Sequence, residues 1–387
     1  AIANGKQAAL MAPTEILADQ HRQNFERWFK PLGIQVTWLT GKIKGKARVL
    51  KLSAIADGTA QMVIGTHALF QETVEFNDLG LSIIDEQHRF GVHQRLALRQ
   101  KGFVPTLSKE NSGSAPHQLI MTATPIPRTL AMSAYADLDC SIIDELPPGR
   151  KPVDTLVLNN LRRNDVIERV RASCVNGRQA YWVCTLIEES DVLEAQAAEV
   201  TASELLLLLP ELSIGLIHGR LKPREKIEIM EAFKNGTINL LVATTVIEVG
   251  VDVPNASLMI IENSERLGLS QLHQLRGRVG RGTEASHCVL LYSAPLSGNG
   301  NARLKIMRET TDGFKIAEKD LELRGPGEVL GTRQTGNMQL HIADLQRDAH
   351  MLPDIKIIAE TLLVNYPENV DALIRRWLGR NEQYAQA

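Results

Sequence analysis

Two adjacent carboxylates, Asp85 and Glu86, end the short apolar stretch "LSIIDE" and have the chemistry to act on a nucleotide phosphate. An Asp at the carboxyl end of a strand can hold Mg²⁺, and a Glu beside it can orient and deprotonate an attacking water. The alternative is structural, because an Asp that precedes a helical run often caps the helix. On their own, the two residues leave both interpretations open.

Two other polar stretches also follow apolar runs. The stretch "TATPIPRT" contains Thr122 and Thr124, whose hydroxyls can bridge the carboxylates to groups across a cleft. Taken alone, this stretch favours a loop punctuated by prolines. The stretch "ATTVIEVGVDVPNA" contains Gly250 and Asp252, which can serve a ribose or a phosphate, and by itself it is weak support for either.

A third stretch, "QLHQLRGRVGRG", is more informative. Arginine binds phosphate in a bidentate manner, and glycine lets the backbone and a ligand approach closely. A solvated basic turn is the structural alternative, which three arginines within six residues make less attractive. The residues concerned are Arg276, Arg278 and Arg281, with Gly277, Gly280 and Gly282 between them.

The elements that position these residues are predicted from an alternation of apolar strands and amphipathic helices, which indicates parallel α/β layers. Ligands of open α/β sheets bind beyond the carboxyl ends of the strands, where nearly all of these stretches fall. One helix is predicted between Pro223 and Gly236, with Ile227, Met230 and Phe233 on one face. The predicted strands are "QAALMAP", "IQVTWLT", "QMVIGT", "LSIIDE" and "QLIMTAT", then "VDTLVL", "QAYWVCT", "LSIGLIH", "INLLVAT", "SLMIIE" and "HCVLLY".

Composition bounds the possibilities without selecting one. The net charge of −2 gives no overall signature of nucleic-acid binding, so any basic surface must be local. The four cysteines lie far apart and form no CxxC pair, which argues against zinc and disulfide frameworks and fits a reducing cytosol. The apolar run Leu205–Leu209 is too short to span a bilayer and predicts a buried helix face. The proline-rich segment 144–152 predicts a linker between two α/β domains, and the chain becomes helical from about residue 300.

In their order along the chain, the four stretches resemble the motor of superfamily 2 helicases: a DExH box, a TAT motif, an Asp motif in a second domain and a QxxGRxGR motif. Further stretches are similar to the RecG family of bacterial branched-DNA helicases, and the resemblance covers nearly the whole chain. These include "MAPTEILADQH", "GKIKGKAR", "IGTHALFQ", "DEQHRFGVHQR", "AYWVCTLIEES" and "IHGRLKP". Residues 317–336 resemble the TRG motif that RecG shares with the transcription-repair coupling factor Mfd, whereas "DEQHRFGV" resembles RecG rather than Mfd.

The resemblance implies roles for the residues at the nucleotide site. Asp85 would hold Mg²⁺, Glu86 would be the general base, and His88 would couple the nucleotide state to DNA. Arg278 and Arg281 would reach the γ-phosphate from the second domain as arginine fingers, which contribute about 10³–10⁵ in rate. The remaining nucleotide-binding residues would be Thr122, Thr124, Gly250, Asp252 and Gln274.

A second set of residues would serve DNA and coupling. Thr14 would offer its hydroxyl and helix-end amides to a DNA phosphate, and Thr66 would add a second hydroxyl. Positive charge along the DNA backbone would come from Lys42, Lys44, Lys46 and Arg48. In the TRG region, ATP-driven closure would be linked to movement on duplex DNA by Arg303, Arg324 and Gln334.

A phosphate-binding GxxxxGK[ST] loop does not occur in the sequence. Gly5-Lys6, Gly41-Lys42 and Gly45-Lys46 are each followed by a residue other than Ser or Thr. The first residues predict the tail of a helix, a cap at Gly5 and then a strand. We therefore expect the phosphate loop, and the wedge domain of the family, to precede Ala1 in a longer parent.

The sequence is thus interpreted as a truncated motor with a first RecA-like domain at 1–146, a second at 147–298 and a helical TRG region at 299–387. The expected cofactors are ATP and Mg²⁺, and the expected partner is branched double-stranded DNA at forks and Holliday junctions in the bacterial cytoplasm, with no membrane. A single-stranded-DNA-binding protein as a partner cannot be inferred from these residues. The parent would act in recombination and repair, while the chain alone would be inactive as an ATPase. The alternatives are an Mfd-like duplex translocase and a non-enzymatic nucleic-acid-binding piece.

Overall fold

The computed structural model describes residues 1–86, 116–123, 139–185, 191–248, 253–282, 284–324 and 347–378. The described residues of Ala1–Ala123 and Leu362–Ala387 form one compact unit, and those of Thr124–Thr361 form the other. Residues 144–152 contain neither helix nor strand. The domain boundaries after residues 146 and 298 remain predictions.

The first unit contains a parallel sheet of five strands in the order β2-β3-β1-β4-β5. The central strand, β1, is buried at all five residues, as expected for a strand covered on both faces. The strands are β1 Gln7–Met11, β2 Val36–Leu39, β3 Met62–Gly65, β4 Leu79–Ile84 and β5 His117–Ile120.

Two helices follow strands of this sheet. Helix α1 spans Glu15–Phe29 and is capped by Thr14, whose Oγ1 accepts a hydrogen bond from the Leu17 amide at 3.3 Å. Helix α2 spans Gly45–Ala56. Successive residues of a strand point to opposite faces, so Met62 and Val63 enter two different apolar clusters. The sheet is therefore covered by a core on each side.

The second unit contains a parallel sheet of six strands in the order β6-β11-β10-β7-β9-β8. The strands are β6 Val153–Asn159, β7 Gln179–Val183, β8 Ile214–Ile217, β9 Leu240–Ala243, β10 Ala256–Ile261 and β11 Ser286–Tyr292. The helices of this unit's α/β part are α3 Arg163–Val175, α4 Asp191–Leu208, α5 Pro223–Lys234 and α6 Leu269–Arg276. Together the two sheets confirm the predicted fold class and all eleven predicted strands.

The later part of the described chain is helical, as predicted. The helices are α7 Gly298–Glu309, α8 Gly313–Arg324, α9 Leu352–Asn365 and α10 Pro367–Leu378. Among the described residues, no helix combines the length and the apolar character that a membrane span requires.

Two predicted helix faces need correction. In the leucine run of α4, only Leu205 and Leu209 are buried, and the three leucines between them are exposed. The reason is the period of 3.6 residues per turn, which brings residues four apart, but not consecutive ones, to the same face. In α5, Met230 and Phe233 are buried, whereas Ile227 is 38% exposed at the edge of that face.

The two units share a segment with the same spacing. The bounds of β8, α5 and β9 exceed those of β2, α2 and β3 by one constant offset. A 3-10 turn then follows each third element at the same offset, at His67–Phe70 and Thr245–Glu248.

A buried glutamine fixes this segment in each unit. Gln7, the first residue of β1, donates from Nε2 to the carbonyl oxygens of Ile55 at 2.9 Å and Ala60 at 2.8 Å. Gln179, the first residue of β7, donates in the same way to Phe233 and Ile238, which occupy the corresponding positions. Each amide thereby ties the end of a helix and the approach to the next strand to the central strand.

Candidate functional site

The predicted site residues of the first unit lie at the carboxyl ends of its strands. Thr14 follows β1, Lys42 follows β2, Thr66 follows β3, Asp85 follows β4 and Thr122 follows β5. The strand order therefore places the residues predicted for DNA on β2, β3 and β1, and those predicted for the nucleotide on β4 and β5. The sequence predicted both sets of residues, and the strand order places them side by side at the carboxyl end of the sheet.

Asp85 continues the hydrogen-bonded ladder of the sheet, because its amide donates to the Met11 carbonyl at 2.9 Å. Its side chain is about 20% exposed, and its Oδ2 lies 2.8 Å from His21 Nε2 on α1. The next residue, Glu86, has a φ of 53°, a left-handed conformation that is uncommon for residues other than glycine. Such conformations cluster at functional sites.

Thr122 follows β5, the strand that pairs with β4. The Met121 amide donates to the Ile84 carbonyl at 2.8 Å, so the β4–β5 pairing continues past Ile120. Thr122 is exposed, two residues beyond the paired residues Ile84 and Ile120. His88 and Thr124 lie outside the described residues, and their predicted roles remain predictions.

The residues predicted to bind DNA differ in how they are engaged. Lys42 forms an ion pair with Glu15 in the first turn of α1, and Arg48 donates to Gln71 at 2.6 Å. Lys44 precedes the first residue of α2, and Lys46 is exposed in its first turn. The remaining hydroxyl group, on Thr66, is buried with the side chain 2% exposed.

The Thr66 hydroxyl has no hydrogen-bond partner within the part of the chain that the structure describes. A buried polar atom in this state requires an explanation, such as a water or a bound ligand. Because Thr66 is buried, a direct contact with a DNA phosphate requires that the DNA come close to the end of β3. Its role remains a prediction.

In the second unit, α6 carries Gln274 and ends where the arginine-rich turn begins. Arg276 is buried and donates to the carbonyl oxygens of Met307 at 2.8 Å and Thr310 at 2.9 Å. This arginine therefore holds the end of α7 against α6, which the sequence did not indicate. Arg278 and Arg281 are partly exposed, and Arg281 Nε donates to the Gly277 carbonyl at 3.3 Å.

Burial next to Arg276 also favours the neutral form of His273, because it lowers the pKa of the imidazole. Burial is the main cause that lowers the pKa of His273 from its ordinary value of 6.5 to about 4, and the charge of Arg276 lowers it further. An Arg276 terminal nitrogen lies 3.0 Å from His273 Nδ1. Because arginine only donates, His273 Nδ1 acts as the acceptor, which a neutral imidazole permits.

Two of the three glycines of this turn, Gly280 and Gly282, are required by the protein's own packing. A Cβ at Gly280, whose φ is 76°, would lie 2.6 Å from the Val153 side chain, and a Cβ at Gly282 would lie 2.5 Å from the Pro254 carbonyl oxygen. Packing alone therefore explains Gly280 and Gly282, and close approach of a ligand is not needed to explain them. Gly250 and Asp252, the other predicted nucleotide residues of this unit, lie outside the described residues.

In the predicted coupling region, Arg303 on α7 donates to the carbonyl oxygens of Leu267 and Glu265, each at 2.8 Å. It therefore connects α7 to the segment that follows β10. Arg324 is the last residue of α8, but its side chain, like the whole of Gln334, lies outside the described part of the chain.

Comparisons with known proteins agree with this organisation. Residues 1–133 match the DEAD/DEAH box helicase family, and residues 163–283 match the helicase conserved C-terminal domain. Residues 310–375 match the C-terminal part of domain 3 of the ATP-dependent DNA helicase RecG. With the two parallel sheets, these matches define the class of the protein as a helicase motor with paired RecA-like domains.

Within that class, the chain is similar to RecG over its whole length, and the predicted resemblance is confirmed. It is 65% identical to the ATP-dependent DNA helicase RecG of Escherichia coli (strain K12) and 64% identical to that of Haemophilus influenzae, in each case over 100% of this chain and 55% of the relative. A solved structure of RecG bound to a three-way DNA junction is 42% identical with a TM-score of 0.68, and the match covers 90% of this chain and 44% of that one. The chain thus spans about half the length of the curated relatives that it matches.

Proposed function

We propose that this chain is the larger part of the motor of an ATP-dependent DNA helicase that remodels branched DNA, as in recombination and repair at stalled forks and Holliday junctions. The proposal is based on where the strand order places two predicted sets of residues at the carboxyl end of one sheet. Residues suited to phosphate chemistry follow β4 and β5, and residues suited to the DNA backbone follow β2, β3 and β1. The junction-bound RecG structure supports branched DNA as the substrate.

The residues present fit a magnesium ion. Within the described residues, His21 is the one hydrogen-bond partner of the Asp85 carboxylate, and it contacts Oδ2 and not Oδ1. Mg²⁺ is held in such enzymes by one or two carboxylates together with substrate phosphates and water, so a single strand-end Asp is sufficient. When bound, Mg²⁺ with ATP would neutralise charge on the transferred phosphate.

The roles of the chain's own residues follow from this assignment. Asp85 holds the ion, and Glu86 orients the attacking water and accepts its proton. Arg278 and Arg281 stabilise charge on the γ-phosphate. Thr14 and the basic residues near α2 hold the DNA backbone, which positions the DNA but does not read its sequence.

The test is Glu86→Gln in the full-length protein. The substitution removes the base and keeps the shape, so we expect DNA-stimulated ATP hydrolysis to fall by about 10²–10⁴-fold. ATP binding and binding to a three-way junction should be retained. Glu75→Gln, an exposed change in the same unit, is the matched control and should leave hydrolysis unchanged. Near-normal hydrolysis in Glu86→Gln would contradict the assignment.

A further inference from the structure

One contact of the proposed magnesium carboxylate comes from His21, the last residue of the stretch "MAPTEILADQH", to which the sequence analysis assigned no role. His21 Nε2 lies 2.8 Å from Asp85 Oδ2, and the two side chains are 24% and 20% exposed. The residues are 64 positions apart in the sequence, on α1 and after β4. Because a carboxylate only accepts, Nε2 must carry a proton and donate it to Oδ2.

The helix that carries His21 is held at its N-terminus by a capping residue. Thr14 caps α1 by accepting from the Leu17 amide, and His21 follows seven residues after Thr14, which is about two turns of helix. Thr14 follows β1, and His21 contacts the residue that follows β4, so α1 begins and makes this contact near the carboxyl ends of neighbouring strands.

The hydrogen bond limits what the carboxylate can do. An Asp side chain can rotate and present either oxygen, and a donor fixed on one oxygen selects the orientation in which the other is presented. Ligating carboxylates in metal sites are commonly held in this way by an outer residue, and loss of that residue costs about 10–100-fold in metal affinity or activity. Within the described residues, no other side chain donates a hydrogen bond to the Asp85 carboxylate.

We propose that His21 is a positioning residue for Asp85, which orients the carboxylate so that it binds the magnesium ion of the nucleotide. This proposal rests on the proposed function, in which Asp85 is the magnesium ligand. The structural alternative is that the contact only attaches α1 to β4. A merely structural contact would affect stability and leave the magnesium dependence of nucleotide binding unchanged.

The experiment measures how binding of a fluorescent ADP analogue to the full-length protein depends on Mg²⁺ concentration. We expect His21→Ala to raise the Mg²⁺ concentration at half-maximal binding by about 10–100-fold. His21→Gln should stay close to the unmodified protein, because its side-chain amide can donate to Oδ2. Gln23→Ala, an exposed change on the same helix, is the matched control and should have no effect.

A further variant keeps the proposal open to refutation. If His21→Ala lowers the melting temperature strongly, His21→Asn replaces it: this amide keeps a polar side chain at the position but is shorter than the reach to Oδ2. The Mg²⁺ dependence should shift in His21→Asn as in His21→Ala. A lower melting temperature without that shift in either variant would overturn the proposal.

The Asp85→Asn variant separates failure of this proposal from failure of the proposed function. If Asp85→Asn leaves the Mg²⁺ dependence unchanged, Asp85 is not the ligand and the proposed function loses its metal assignment. If Asp85→Asn abolishes the dependence but His21→Ala does not shift it, only the role of His21 is wrong. In the Asp85→Asn background, His21→Ala should have no additional effect, and an undiminished effect would show that His21 acts elsewhere.

Discussion

Arg276 and Arg281 are five residues apart in one turn, yet their surroundings give them different tasks. The Arg276 guanidinium is buried among carbonyl oxygens of α7 and the residue after it, Met307 and Thr310. Arg281 is partly exposed and donates from Nε to a backbone carbonyl of its own turn. We therefore assign Arg276 to packing and keep Arg281 as a phosphate ligand in the proposed function.

The two arginines should separate in a paired experiment on the full-length protein. Arg276→Met leaves buried carbonyl oxygens without donors, which should cost about 1–3 kcal/mol of stability and lower the melting temperature. Arg281→Ala should leave the melting temperature unchanged and reduce ATP hydrolysis by about 10³-fold or more. If Arg281→Ala weakens junction binding and spares hydrolysis, the residue belongs to the DNA site.

At this scale, sequence patterns identified the residues that carry a motif and missed those defined by a tertiary contact. Asp85 and Glu86 were found because a carboxylate at a strand end is unusual. His21 was not assigned a role, and Arg276 was grouped with the phosphate-binding arginines. Nothing in a helical sequence indicates that a side chain meets a residue 64 positions away or a carbonyl of a later helix. The two glycines Gly280 and Gly282 were assigned to a ligand, whereas their close neighbours belong to the protein itself.

The elements of both sheets were predictable because parallel strands buried on two faces are continuous apolar runs bounded by breakers. Helix faces were harder to predict where composition is uniform. In the leucine run of α4, periodicity rather than hydrophobicity decides that Leu205 and Leu209 are buried. Strand order, which separates the two predicted halves of the first sheet edge, has no local signature in the sequence.

The hydrogen bonds of the buried Gln7 and Gln179 side chains lead to a prediction about the stability of each unit. Gln7→Leu keeps the volume but removes the donor to the Ile55 and Ala60 carbonyls and the acceptor for the Asn77 amide, although the Ile55 carbonyl keeps the Gly58 amide at 3.3 Å. Each buried group left unpaired costs about 1–3 kcal/mol, so the free energy of unfolding of the first unit should fall by at least that amount.

The measurement is chemical denaturation of the full-length protein, with exchange of backbone amides to assign the affected unit. Gln179→Leu should destabilise the second unit in the same way. Gln23→Leu, at an exposed position of α1, is the control and should have little effect. Equal stability of Gln7→Leu and the unmodified protein would mean that water replaces the amide.

At the scale of the whole molecule, the 387-residue sequence contains no phosphate-binding loop of the GxxxxGK[ST] type. The backbone amides and lysine of a phosphate loop bind the β- and γ-phosphates in this class, and this sequence has no such loop. We therefore expect the 387-residue chain by itself to hydrolyse ATP at no more than the background rate, with or without forked DNA.

A phosphate-release assay on the purified chain tests this expectation, with its Glu86→Gln variant as the control. Hydrolysis by the chain that disappears in Glu86→Gln would show that the nucleotide site is complete without the loop. Hydrolysis that persists in the variant would come from a contaminating enzyme.

The equal spacing of β2-α2-β3 and β8-α5-β9 gives the two units a common local architecture. Counted from the ends of β4 and β10, the residues that follow also correspond: Asp85 and Glu86 in one unit, Glu262 and Asn263 in the other. Within the described residues, Glu86 and Asn263 are the two residues other than glycine with a positive φ, 53° and 47°. A left-handed backbone at the second residue after this strand is therefore common to both units. Asparagine tolerates this conformation better than glutamate does. Glu86, the proposed base, therefore occupies a backbone conformation that disfavours glutamate.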